Sequence, residues 1–157
     1  MTHKRDFTQW LLEHGADPNS GHLLADSTSA IGAAAEQGRL DLADLLVRHG
    51  AKVSGSGALA AAAESGHMDM VSWLLDRGAD IDEMGVHDYG ISKWKEKMGT
   101  ALHKAVVRGD VAMAKMLVHR GAKTDLKDPL GRTPLMRAKE ENQQAAVSYL
   151  ESLGVAG

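Results

Sequence analysis

The 157-residue sequence contains no cysteine, which excludes disulfides and thiolate metal centres and fits a reducing compartment. Aromatic residues are only 4% of the chain, so Ala and Leu must supply most of the core and Gly its tight turns. A basic surplus is missing too. Eighteen Lys and Arg face 21 Asp and Glu, a formal net charge of −3, and binding to a phosphate backbone needs the opposite balance. No run approaches the roughly 18 apolar residues of a membrane span. The opening stretch Met1–Glu13 reaches polar Thr8 and Gln9 before any apolar run, unlike a secretory signal. These deficits point to one soluble globular domain over 1–157, in the cytoplasm or nucleus, with no nucleic acid and no membrane among its partners.

What the sequence does have is repetition, the first thing to look for in a chain of this kind. An apolar helical tail ending in Gly recurs: Trp10-Leu11-Leu12-Glu13-His14-Gly15-Ala16, Leu45-Leu46-Val47-Arg48-His49-Gly50-Ala51, Trp73-Leu74-Leu75-Asp76-Arg77-Gly78-Ala79 and Met116-Leu117-Val118-His119-Arg120-Gly121-Ala122. Tyr149-Leu150-Glu151-Ser152-Leu153-Gly154 is a fifth copy. The closing glycines at 15, 50, 78, 121 and 154 are 28 to 43 residues apart. A second helical segment precedes the tail. Ala34-Ala35-Glu36-Gln37-Gly38 matches Ala62-Ala63-Glu64-Ser65-Gly66, and Ala105-Val106-Val107-Arg108-Gly109 is a third version.

Each unit therefore reads as helix, Gly turn, helix, Gly turn and extended connector. The Gly after each apolar run can take the left-handed conformation that ends a helix. A His or Arg just before it (His14, His49, Arg77, Arg120) lies near the negative end of the helix dipole. Leu42, Leu45 and Leu46 share one helix face, as do Met70, Trp73 and Leu74. Met68, Met70, Met113 and Met116 stand at core positions of the same pattern. One unit cannot bury such a face alone, whereas stacked units can.

These residues resemble the ankyrin-repeat family. Its opening is matched best by Asp128-Pro129-Leu130-Gly131-Arg132-Thr133-Pro134-Leu135, next by Thr100-Ala101-Leu102-His103, and loosely by Ser29-Ala30-Ile31-Gly32 and Gly57-Ala58-Leu59-Ala60. Gly66-His67 matches the family's Gly-His pair. The resemblance implies an all-α solenoid of helix-turn-helix units joined by β-hairpin-like fingers. It divides the chain into a half-unit at 1–17 and units at about 18–52, 53–80, 81–123 and 124–157. The second unit from the start of the full series, 53–80, opens on a short connector, Val53–Gly57. The next carries a long insertion over 83–99, an extended finger.

The resemblance also maps a concave groove. Glu36, Gln37, Glu64 and Ser65 should face it from the earlier units, followed by Lys104, Val107 and Arg108, then Arg137, Glu140 and Glu141. The groove would run from acidic and alanine-rich to mixed with basic residues. The insertion adds His87, Tyr89 and Trp94, aromatic and charged material on a loop held by a scaffold, where binding residues concentrate. The alternative for the insertion is that Trp94 only covers its own hairpin.

Candidate chemistry is sparse. His87-Asp88-Tyr89 are sequence neighbours in an extended segment and point to opposite faces, so they need a group from elsewhere, such as His22. The family pattern gives His103 a structural role, bonding the turn backbone beside the cap Thr100. The His-Gly tails lie a repeat or more apart and do not assemble a metal site. Gly55-Ser56-Gly57 lacks the third glycine, the strand and the acidic partner of a dinucleotide loop. No cofactor is expected.

The leading reading is a module that binds a partner protein or peptide through His87, Tyr89, Trp94, Glu36, Gln37, Glu64, Lys104, Arg108 and Arg137. The alternative is a small-molecule pocket or enzyme of secondary metabolism, built in a hollow left by small residues Gly32, Ala33, Ala60 and Ala61 and covered by the 83–99 loop. Its chemistry would fall to His22, His87, Tyr89 and His103. Self-association through the open first half-unit, as a weak homodimer of an otherwise monomeric chain, is a third possibility.

Overall fold

In the computed structural model, residues 2–20, 29–85 and 98–155 are described. They hold α1 (Thr2–Glu13), α2 (Ala30–Glu36), α3 (Leu40–Arg48), α4 (Ala58–Ser65) and α5 (Met68–Asp76). Then come α6 (Ala101–Val107), α7 (Val111–His119), α8 (Pro134–Glu140) and α9 (Gln144–Ser152). Apart from α1 these helices have seven to nine residues, too short to hold in water alone. Their stability comes from stacking. The helices pack as antiparallel pairs, α2 with α3, α4 with α5, α6 with α7 and α8 with α9. Inner helices α2, α4, α6 and α8 then stack in sequence, and α1 rests on α3. This is an all-α repeat solenoid. No helix among the described residues is long and apolar enough to cross a membrane.

The core follows from side-chain size. Inner helices bury Ala34, Ala35, Ala62, Ala63, Ala105 and Ala138, small enough to let neighbouring backbones approach. Leu59, Leu102 and Leu135 fill the space between layers, and Met70, Leu74, Met113, Leu117 and Leu150 seal the outer layer. Met68 and Met116 pack on this core while staying partly exposed.

Turns use the expected left-handed residues, with one substitution. Gly38, Gly66 and Gly109 end the inner helices at φ +65°, +81° and +72°. In the last pair the same place is taken by Asn142, at φ 56°. Asn tolerates this region better than other side chains because its amide can bond locally.

The first three inner turns are each roofed by a side chain from the next pair. His67 Nε2 lies 3.0 Å from the Glu36 carbonyl, and Gln143 Nε2 donates to the Val107 carbonyl at 2.9 Å. Between them the equivalent position is Asp110, which caps α7 through the Met113 amide instead. Arg108 fills the gap by donating from Nη1 to the Glu64 carbonyl at 3.0 Å. These bonds satisfy carbonyls that a helix end leaves open. On the convex side His49 Nδ1 bonds the Leu45 carbonyl, while Arg77 and Arg120 reach back to Asp44 and Asp76 of the preceding outer helix.

Candidate functional site

The inner helices begin with two different solutions to one problem, the orphan amides of a first turn. Ser29, Thr100 and Thr133 cap α2, α6 and α8 with their hydroxyls. Helix α4 has Gly57 at that place and no side-chain cap of its own. Ser56 Oγ takes the first helical amide, Ala58, at 3.2 Å, and Glu83, from the base of the insertion, clamps the residues before it: its carboxylate takes the Gly55 amide at 2.8 Å and the Gly57 amide at 2.7 Å. A negative group at a helix start is favoured by the helix dipole. The short connector 53–57 is thus pinned by the element that follows it.

Thr100 and His103 form a capping box on α6. The Thr100 amide donates to His103 Nδ1 at 3.2 Å, and Nε2 meets the Arg132 carbonyl at 3.0 Å. The pattern sets the tautomer with the proton on Nε2. His103 is buried, and burial pushes its pKa below the ordinary histidine value. A neutral ring with both nitrogens engaged joins α6 to the connector of the last pair.

That connector is organised by Asp128, whose side chain is fully shielded. Oδ1 accepts the Leu130 and Arg132 amides at 2.9 and 3.0 Å. Oδ2 accepts from Arg132 Nε at 2.9 Å and from Arg137 Nη1 at 3.2 Å. Burial by itself would raise the Asp128 pKa, but the hydrogen bonds from Arg132, Arg137 and Leu130 outweigh it and hold the carboxyl below its usual value. Gly131 closes the turn by donating to the Asp128 carbonyl at 2.8 Å. Asp at the first position, Pro at the second and Gly at the fourth is the sequence signature of such a turn.

Beside this hub, along the ends of the inner helices, lies an open cavity of about 530 Å³. Glu64 of α4, Lys104 and Val107 of α6, and Arg108 just after it form one wall. Leu130 and Arg132 of the connector, with Arg137 and Glu141 of the last pair, form the other. Lys104 is nearly buried, and its Nζ bonds Glu64 Oε2 at 2.9 Å. Leu130 stands 47% exposed at the tip of the turn.

The structure brings six of the sequence-mapped groove residues, Glu64, Lys104, Val107, Arg108, Arg137 and Glu141, to this one cavity. Glu36 and Gln37 are exposed at the end of α2 and do not line it. His22, His87, Tyr89 and Trp94 lie outside the described residues. Sequence reasoning missed Leu130 and Arg132 as lining residues, although the Asp-Pro-x-Gly turn was visible. It also missed Glu83, for which no local signal exists.

Of the small inner-helix residues expected to border a hollow, Ala60 meets the base of the insertion. Gly32, Ala60 and Ala61 are buried, and Gly85 at the base of the insertion lies directly against Ala60. Gly85 also bonds the Gly99 carbonyl at 3.0 Å, the bridge that closes this base. A Cβ on Gly85 would overlap Ala60, so small residues here serve close backbone approach. Among the described residues no three His, Asp or Glu side chains converge as a metal site.

Comparison with known families agrees with this architecture. Residues 2–84 match the model described as ankyrin repeats (3 copies), and residues 59–118 match one described as ankyrin repeats (many copies).

Proposed function

Because the chain belongs to the ankyrin-repeat family, whose members serve generally as protein-interaction modules, we propose that it binds a segment of a partner protein on its concave face. The observation that carries this reading is the open cavity over α6 and α8, where charged groups from three helix pairs meet the exposed Leu130. Rigid walls favour binding because little order must be created when the partner docks. His87, Tyr89 and Trp94 of the insertion, which lie outside the described residues, are proposed as further contacts of the same partner.

The test is site-specific crosslinking. A photoreactive residue at Val107 or Leu130 should form adducts with the partner, and one at exposed Ala112 of outer helix α7 should not. Adducts only at Ala112 would move the interface to the convex side. Replacing Trp94 with Ala should weaken capture and leave the melting midpoint unchanged; undiminished capture would remove the finger from the interface.

A second copy of the chain is the other partner that an observation favours. Phe7 and Trp10 on α1 are 61% and 50% exposed and stack at 6.5 Å between ring centroids. Sedimentation at several concentrations tests a weak homodimer through this helix, and a monomer throughout would exclude it.

A further inference from the structure

We infer that the concave cavity recognises a peptide segment carrying a carboxylate side chain next to an apolar one, with the carboxylate on Arg108 and the apolar group on Leu130. The inference rests on the concave-face reading and specifies the chemistry of its partner.

Charge accounting within the cavity singles out Arg108. Four cations line it. Lys104 is paired with Glu64 at 2.9 Å, Arg132 with Asp128 at 2.8 Å and Glu140 at 3.2 Å, and Arg137 with Asp128 at 3.2 Å. Among the described residues Arg108 is the one lining cation with no carboxylate partner. Only Nη1 is engaged, on the Glu64 carbonyl, so most of the five N–H donors of the guanidinium remain for a ligand.

Arg108 is also held in place. Its guanidinium lies over Gly66, where an added Cβ would come within 2.5 Å of Nη2. The carbonyl and the glycine together fix a long side chain before anything binds, which lowers the entropy lost on docking. An exposed arginine anchored this way is suited to planar, two-pronged recognition of a carboxylate.

The apolar half follows from Leu130. A leucine 47% exposed is unremarkable by itself. Here, however, its backbone amide is tied to Asp128 and its turn is closed by Gly131, so the side chain is presented on a fixed tip. Val107 lines the cavity beside Arg108. An apolar partner group would cover Leu130 and Val107, displacing water from both and strengthening the neighbouring ion pair.

The carboxylates of the cavity act as a filter. Glu64, though paired with Lys104, is partly exposed and Glu141 is exposed, so a run of phosphates would meet negative charge in the same lining. A single carboxylate meets less of this repulsion than a run of phosphates does. This favours a protein segment over a nucleic acid.

The test uses an array of short peptides with one central pair varied: Glu-Leu, Gln-Leu, Lys-Leu and Glu-Ser. The full chain should bind the Glu-Leu set at least about tenfold more tightly than the other three, because Gln-Leu and Lys-Leu lose a charge-assisted hydrogen bond and Glu-Ser loses the burial of the leucine. Arg108→Glu should invert the order toward Lys-Leu, Arg108→Lys should keep a weakened Glu-Leu preference, and Leu130→Ser should erase the difference between Glu-Leu and Glu-Ser. Circular dichroism confirms that each variant is folded. A Glu-Leu preference that survives Arg108→Glu overturns the inference, as does failure of the Glu-Leu set to bind at about millimolar peptide. Equal displacement by heparin with no effect of the leucine would show a bare charge site and overturn it too. If peptides bind without the preference and Val107→Arg blocks them, this chemistry is wrong but the concave face stands. Binding that Val107→Arg leaves intact would sink both.

Discussion

Replacing Asp128 with Asn should unfasten the connector that carries Leu130. The carboxylate is fully shielded and accepts from two backbone amides and from two arginines. An Asn oxygen can keep the amides of Leu130 and Arg132. Its NH₂ group would then face guanidinium donors, and Arg137 would lose the buried carboxylate it meets at 3.2 Å. Removing one partner of a buried pair costs about 3–5 kcal/mol. The low end applies here, because Arg132 keeps Glu140 at 3.2 Å. At roughly 3 kcal/mol, a chain of this size should lose on the order of 6–12 °C in melting midpoint. Urea titration gives the free energy, and hydrogen exchange should show faster exchange at the Leu130 and Arg132 amides. The exposed Asp125→Asn is the control and should change stability by no more than about 0.5 kcal/mol. The sign with pH is also set. The folded pKa of Asp128 is depressed, so its stabilisation is present above the unfolded value of about 3.9 and is lost as pH falls through the folded value. Asp128→Asn should remove that part of the acid transition. A loss below about 1 kcal/mol would refute the hub role.

Other perturbations probe the remaining joints. Glu83→Gln removes the charge that serves the Gly55 and Gly57 amides and should cost about 1–2 kcal/mol, with faster exchange confined to the start of α4; exchange unchanged there would refute the clamp. For His103 the folded pKa is lowered by burial, so stability is full above about pH 6.5 and falls as pH drops from there toward the folded value, at up to about 1.4 kcal/mol per pH unit. His103→Gln should lower stability but flatten that slope in urea titrations at stepped pH. Gly66→Ala puts a side chain at φ +81° and into the Arg108 guanidinium, so it should cost about 1–2 kcal/mol and also weaken Glu-Leu peptide binding; unchanged binding would mean that Gly66 does not hold Arg108.

The repeat was legible because it is a local code. Gly after an apolar stripe, Thr before an inner helix and Ala along its buried face each act within a few residues, so their periodic return announces stacked pairs before any contact is known. The same code marked Glu64, Lys104, Arg108 and Arg137 as groove residues, since inner-helix position determines which way a side chain points. Local signals could not tell which of these charges were already satisfied. Lys104 and Arg108 stand four residues apart on the same segment, yet Lys104 is consumed by Glu64 and Arg108 is left open toward the cavity. That difference arises between helix pairs, 40 and 44 residues apart in the chain.

Two further cases show the same division. Asp110 stands where His67 and Gln143 roof the preceding turn, and its identity predicts a missing bond; only the stacked structure shows Arg108 crossing over to make it. Gly57 lacks a capping hydroxyl, a weakness visible in the sequence, whereas the clamp of Glu83 on its amide depends on how the next pair folds back. The sequence by itself determined the helix pairs, their turns and the family, because those follow from short-range sterics, capping and burial period. Tertiary structure alone decided which charges are spent and which are offered, because an ion pair depends on distances that only stacking sets.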